Sequence, residues 1–278
     1  MNPSPLICPV CEAPLEWTAK ECRCVNGHSF DQAKEGYVNL LLSHQRKSAH
    51  PGDDAAMIQA RRRFLDSGAY NPLSDLIRQS SFITQRSSLS ILDCGCGEGF
   101  LLGSLNGQRF GVDISKEAVR CAAKRYKDTT WIVANGMRKL PFADQSLDLI
   151  LSILAPRNPK EFARILKPNG HLILGVPGPN HLIELRSKLA VNVDDFEEKA
   201  DEAVAKCAPY FLEMNRELLS YEQTLNPAQI ADLIQMTPIF WCSSPETKES
   251  VRQLDKLVVT VSFVLLTLQQ SGRGQPDL

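Results

Sequence analysis

Eleven residues, "SILDCGCGEGF" at 90–100, constrain the fold of this 278-residue chain more than any other stretch. A short apolar run ending in Asp93 leads into Gly95, Gly97 and Gly99 at alternate positions. Glycines so spaced let a chain turn tightly off a strand and approach a ligand where side chains would collide. The pattern predicts a strand before the loop and a helix after it. A dinucleotide loop would read G-x-G-x-x-G and cradle a pyrophosphate. Here Asp93 and Glu98 stand in the turn, where they would repel phosphate and suit a cationic ligand. The next apolar run, "RFGVDIS", ends in Asp113, placed so that its carboxylate can accept both hydroxyls of a ribose.

Around this loop the texture is that of alternating units. "LSILDCG", "RFGVDI", "TWIVAN", "SLDLILSIL" and "HLILGVP" read as buried strands, and "KEAVRCAAKRY" and "PKEFARILK" as helices between them. That rhythm means βαβ units and a parallel sheet. Upstream, "AAMIQARRRFLDSGAYNPLSDLIRQ" reads as two helices broken near Gly68, because glycine ends helices and Pro72 follows. The acidic stretch "VDDFEEKADEAVAK" predicts a solvated helix. "LVVTVSFVLLTL" is too short to span a bilayer and predicts a buried strand.

The first forty residues carry a different signal. Cys8 and Cys11 form C-x-x-C, and Cys24 and His28 form C-x-x-x-H after twelve intervening residues. Two such knuckles each offer two ligands to one tetrahedral zinc. Cys22 is a surplus ligand, and an all-cysteine site using it in place of His28 is the alternative. Four protein ligands leave no open position, so the ion is expected to be structural. It also compensates for a core too small to fold alone.

Net charge is −1, so no overall basic field points to nucleic acid, and any such partner needs a local patch. Lys20, Arg23, Lys34, Arg46, Lys47 and Arg61–Arg63 supply candidate charge, and Trp17, Phe30 and Tyr37 supply candidate stacking faces. The N-terminus lacks a signal-peptide pattern, and nine cysteines fit reduced thiols, so a cytoplasmic location is expected.

The D-x-G-x-G-x-G loop with Asp113 resembles the class I S-adenosylmethionine-dependent methyltransferases over roughly Leu89 to Gln269. That resemblance implies a Rossmann-like, doubly wound, seven-stranded α/β sheet. It implies that Gly95, Gly97 and Glu98 face the methionine part of the cofactor, that Asp113 holds the ribose and that Asn135 meets the adenine. The chain as a whole resembles the bacterial 23S ribosomal RNA guanine-N1-methyltransferases, on the zinc pairs and on "FDQAKEGYVNLL", "PGDDAAMIQARRRFLDSGAY", "LDCGCGEGF", "VPGPNHLIEL" and "LIQMTPIFW". This family resemblance implies that Tyr70 and His181 also contact S-adenosylmethionine, and that the zinc region helps to bind RNA. It implies methylation of N1 of a guanine in a hairpin loop. The expected organisation is a zinc-binding domain (1–40), a linker and helical segment (41–88) and the methyltransferase domain (89–278). A membrane partner is not expected, and a homodimer is left open. No motif names the proton acceptor; His181, Glu184, Asn158 and Glu161 are the candidates near the acceptor side. The alternative reading is a methyltransferase for a small molecule.

Overall fold

The computed structural model describes residues 4–18, 20–45, 51–86, 88–189, 196–237 and 243–271. Arg46 and Lys47, the end of the "LIQMTPIFW" string and the tail from residue 272 lie outside the described residues.

The chain first forms a small antiparallel sheet of β1 (Leu15–Trp17), β2 (Glu21–Cys24) and β3 (Ser29–Asp31). There follow β4 (Tyr37–Asn39), β5 (Ser90–Cys94), β6 (Gln108–Asp113), β7 (Thr130–Val133), β8 (Leu147–Ile153), β9 (Leu166–Pro177), β10 (Phe211–Leu225) and β11 (Leu257–Gln270). These eight make one sheet in the order β10-β11-β9-β8-β5-β6-β7-β4. It is parallel from β4 to β9, and β11 and β10 run antiparallel to their neighbours. The strand order reverses direction between β5 and β8, the place where ligands bind in sheets of this kind.

Six of the strands are those read from the sequence, β10 completes the seven that the resemblance implies, and the eighth, β4, is an addition. Tyr37, Val38 and Asn39 pair with Trp131, Ile132 and Val133 at the free edge of β7. The region read as a separate zinc domain thus delivers its last strand to the large sheet.

Period-two alternation sorts the core. Ile91, Leu149, Leu151 and Ile173 lie on one face, and Leu92, Ile150, Leu172 and Leu174 on the other. The first face is covered by α1 (Ala55–Asp66), α2 (Asn71–Gln79), α4 (Lys116–Arg125), α6 (Ile183–Lys188) and α8 (Pro227–Met236); α3 (Ser81–Thr84) is a single turn after α2. The second face is covered by α5 (Pro159–Ile165), α7 (Lys199–Cys207) and the apolar side of the zinc region. The break between α1 and α2 falls at Gly68, whose φ of +84° needs a residue without a Cβ.

One expected helix is missing. After the glycine loop the chain makes only a 3-10 turn at Leu102–Ser104. Gly99, Gly103 and Gly107 fall within nine residues there, and glycine is about 1 kcal/mol worse than alanine in a helix. No helix among the described residues is long and apolar enough to cross a membrane.

Candidate functional site

The glycine loop leaves the C-terminal end of β5 and is tied to β6. Gly95 and Cys96 donate backbone N–H bonds to Val112 O (2.8 and 3.0 Å), and Gly97 donates to Asp113 Oδ2 (2.9 Å). Ser115 donates to Asp113 Oδ1 (2.8 Å), so one carboxylate fixes both the loop and the start of α4. Each of its oxygens keeps a second lone pair for a ligand hydroxyl. Gly95, Gly97 and Gly99 all have positive φ (+91°, +53° and +87°). A Cβ added at Gly95 would lie 2.4 Å from Ala155 Cβ, and one at Gly99 2.6 Å from Trp131 Cη2. At Gly97 it would meet only Arg61 Nη1, at 3.7 Å. The space beside Gly97 is therefore open, while its neighbours are packed.

Three carboxyls gather here. Burial, then Asp113 and Glu98, pushes Asp93 up to about 7. Glu98 is pushed up to about 7, mainly by burial. Burial also raises Asp113, against the two N–H bonds it accepts. Glu98 Oε2 is buried without a hydrogen-bond partner. Three carboxyls, one with a buried oxygen that has no partner, next to the open space at Gly97 fit a ligand carrying positive charge, as S-adenosylmethionine does at its amino group and sulfonium.

Arg61 moves from its expected role. The Arg61–Arg63 run supplies candidate charge for an RNA partner, and in the fold each arginine meets a carboxylate. Arg61 Nη2 lies 2.6 Å from Asp53, Arg62 Nε 3.8 Å from Asp66, and Arg63 is bidentate to Asp232. Arg61 also faces the glycine loop, and Asp53 O accepts the Ser115 hydroxyl (2.8 Å). The "PGDD" segment and α1 thus wall the loop, a contact between distant parts of the chain that no local spacing announces.

The remaining expected residues lie along the same edge of the sheet. Asn135 follows β7, donates to Gln45 O (3.1 Å) and accepts from Met137 N–H (3.0 Å), so its amide holds the loop there. Tyr70 and His181 meet on Phe263, with ring centroids 5.2 and 4.7 Å from it. Phe263 pairs with Pro177 at the end of β9, and Tyr70 also packs edge-on against Phe64 of α1 (ring centroids 5.3 Å), the helix whose Arg61 faces the glycine loop. His181 Nδ1 accepts from Ser262 N–H (3.1 Å), and burial pushes the ring down to about 4, which keeps it neutral at pH 7.

Of the other proton-acceptor candidates, Glu184 is held by Thr260 through two bonds (2.7 and 2.6 Å), and Glu161 by Leu140 N–H and Arg164. Asn158 caps α5. All three serve local structure. Among the candidate stacking faces, Tyr37 is buried in the core, while Trp17 and Phe30 are partly exposed.

In the zinc region the ligand atoms of Cys8, Cys11, Cys24 and His28 lie within 4.8 Å of one another. Cys11 Sγ accepts from Asn26 Nδ2 (3.3 Å), and this bond leads the causes that bring its thiol down to about 6, towards the thiolate a metal needs. Cys22 is outside the cluster. It is fully buried, and burial pushes it up to about 11. The donor set, two sulfurs from one knuckle with a sulfur and an imidazole from the other, fits one closed structural zinc.

Residues 6–49 match the family model described as "RlmA, N-terminal", a zinc ribbon, and residues 92–174 match one described as "Methyltransferase domain". A 23S rRNA (guanine(748)-N(1))-methyltransferase of Streptomyces fradiae is 33% identical over 260 residues, covering 91% of this chain and 90% of that one. A Bacillus subtilis protein, YxjB, whose name assigns it provisionally to the 23S rRNA (guanine-N(1)-)-methyltransferases, is 32% identical over 272 residues, covering 93% and 95%. A solved structure described as "Conversion of a Disulfide Bond into a Thioacetal Group during Echinomycin Biosynthesis" shares the fold. Its TM-score is 0.51 at 12% identity, covering 73% of this chain and 83% of that one.

Proposed function

The chain belongs to the family of 23S rRNA (guanine-N1-)-methyltransferases, and from that premise we propose that it transfers a methyl group from S-adenosylmethionine to N1 of a guanine in a hairpin loop of 23S ribosomal RNA. The observation that carries the reading is likeness over nine-tenths of the chain, zinc ribbon included, to relatives named for that reaction. A likeness confined to the methyltransferase sheet would leave the acceptor open.

When bound, the cofactor supplies a methyl carbon made electrophilic by its sulfonium. The chain's own residues position and polarise. The open space beside Gly97 admits the methionine part, with Gly95 setting the turn that leads to it, and the orphaned oxygen of Glu98 meets positive charge. Arg61, already facing the loop, is the cation for the cofactor's carboxylate. Asp113 takes the ribose hydroxyls, and the Asn135 loop borders the adenine. Tyr70 and His181, neutral and packed on Phe263, shape the wall on the β9 side.

Two reactants held in line account for much of the acceleration, because transfer itself is a simple displacement. Neutral guanine carries a proton on N1, so the base must lose it, and the charge that develops on the base must be met. A loop guanine is the least costly to unstack. The Arg46–Lys47 bend and the ribbon are the proposed RNA grip, and the protein would act in the cytoplasm, where cysteine ligands stay reduced.

The test is methylation of 23S rRNA transcribed without its modifications. Primer extension should stop at one guanine in a hairpin loop, because a methyl on N1 blocks pairing, and mass spectrometry should find 1-methylguanosine. Transfer to no position of that RNA would refute the reading.

A further inference from the structure

A second cavity opens beside the cofactor loop. It has a volume of about 500 Å³ and lies at the C-terminal ends of β8 and β9, against α7. Its walls include Ala155, Pro156, Arg157, Met137, Lys199 and Lys206. That volume suits a nucleotide-sized ligand. Ala155 Cβ occupies the space a side chain on Gly95 would take, so this wall and the cofactor loop are in contact. Leu154, just before it, has φ +53°, a backbone state that leucine rarely adopts; such strain concentrates at functional sites. The side chains of Leu154 and Met137 are 48% and 50% exposed, so two apolar surfaces stand uncovered at the site.

The charge in this cavity is one-sided. Its single carboxylate, Glu202, lies 3.4 Å from Lys199. Arg157 is half-buried and has no hydrogen bond or ion pair among the described residues. Burial pushes its guanidinium below the ordinary value, and no carboxylate offsets that cost. A partly desolvated cation without an anion is expensive unless a ligand completes it. All the other arginines of the cofactor wall are already paired with acids.

Resting on the proposed function, we propose that this cavity receives the flipped acceptor guanine and that Arg157 binds its O6 and N7. Arginine is bidentate to that edge of guanine more often than to any other base edge. Held there, the base leaves N1 free to face the cofactor loop across Ala155. The N1–C bond forms as the sulfonium S–C bond breaks. The electron pair of the N1–H bond stays on the base, and the proton leaves to water at the open mouth of the cavity. Negative charge that gathers on O6 as N1 loses its proton is met by the guanidinium, which makes Arg157 a catalytic residue. Adenine would present an amino donor to a donor at the same place and is rejected. Lys199 and Lys206 face the same space and take the phosphates flanking the flipped nucleotide.

The test uses the full-length protein and 23S rRNA hairpin transcripts made with guanosine or with 7-deazaguanosine, which lacks only the N7 acceptor. Wild-type kcat/KM should fall about 2- to 13-fold on the 7-deaza transcript, half the free energy of a bidentate base contact, because only the N7 leg is lost. Arg157→Ala should lose at least as much on the ordinary transcript and show no further loss with 7-deazaguanosine. Its affinity for S-adenosylmethionine should stay within twofold of wild type. Arg157→Lys should recover part of the rate but not the sensitivity to N7, because an ammonium is a point donor. A full 7-deaza penalty retained in Arg157→Ala would overturn the proposal. So would wild-type turnover that is indifferent to N7, a result that needs no variant to fold. Wild-type enzyme that methylates N1 normally while Arg157→Ala matches it sinks the proposal alone. Wild-type enzyme that methylates no guanine sinks the functional reading and this proposal together.

Discussion

Gly97 and Gly99 are two residues apart, yet the structure separates their roles. Gly97 sits at φ +53° with open space beside it. Alanine there costs about 1–2 kcal/mol for a left-handed backbone. Removing a glycine from the unfolded chain returns about 0.4–1 kcal/mol. The net is about 1 kcal/mol, or about 2–4 °C in Tm for a domain of this size. No protein atom has to move, since the nearest is Arg61 Nη1 at 3.7 Å. The new methyl instead takes the space proposed for the cofactor, and crowding of that order costs about 1–3 kcal/mol, a rise of about 5- to 150-fold in Kd. Gly99→Ala is the opposite case. Its methyl would lie 2.6 Å from Trp131 Cη2 and 3.1 Å from Ala122 Cβ, and Trp131 is only 1% exposed. Overpacking and backbone strain together predict a loss of about 2–5 kcal/mol of stability. Thermal melts and calorimetric titration with S-adenosylmethionine distinguish the two. The reasoning fails if Gly97→Ala binds cofactor with wild-type affinity, or if it melts as early as Gly99→Ala.

Asp93 and Glu98 have folded-state values near 7, above their ordinary 3.8 and 4.5, so they favour folding in acid, and that contribution is lost as pH rises through about 7. A cationic cofactor reverses the preference. Its affinity should rise between pH 6 and 8, with protons released on binding; calorimetry in buffers of different ionisation enthalpy reads both, and a flat profile would contradict the site. Cys24→Ser should lose the stoichiometric zinc, whereas Cys22→Ser should keep it, because only Cys24 lies in the ligand cluster; elemental analysis giving equal loss in both would overturn the assignment. Because the zinc ribbon shares a core with the sheet, chelation should lower the Tm of the whole chain in one transition; two separate transitions would show an independent ribbon.

What the sequence reveals here is what chemistry packs into short range. The zinc quartet lies within twenty-one residues, and its two knuckles are local turns, so spacing finds it with one alternative, Cys22 for His28, which the fold removes by placing Cys22 outside the cluster. The glycine loop and Asp113 sit at consecutive strand ends, and a parallel sheet brings such ends together. β10 was not legible. "FLEMNRELLSYEQTL" places charges on both faces, and it holds as a strand because it pairs along its whole length with the apolar β11. The place of Arg61 beside the glycine loop has no local signature: a run of three arginines looks like a solvated basic patch, and only the fold brings Asp53, Asp66 and Asp232 to meet it. The meeting of Tyr70 and His181 on Phe263 joins positions far apart in the chain and has no local signature.

The link between β7 and β8 explains why the ribbon sits where it does. Residues 134–146 contain no helix, so nothing in that connection covers the second face of the sheet. Leu140 and Phe142 are nevertheless fully buried. Leu6 forms a bridge with Phe142, Ile7 donates to Pro141 O (3.0 Å) and Ala143 to Pro5 O (2.8 Å), while Lys139 pairs with Glu12 (2.5 Å). Leu6, Leu15, Cys8 and Cys22 share one apolar cluster with Phe110, Val112 and Ile132 of the sheet. The ribbon therefore supplies the cover a crossover helix would have given, and zinc makes a segment with so little apolar mass of its own rigid enough to do so. The same link carries Asn135, whose side chain holds it in place, and Met137, which lines the proposed guanine cavity. A ribbon anchored there by backbone bonds fixes that link, which is how the proposed RNA grip would keep register with the cavity without contributing any group to the reaction.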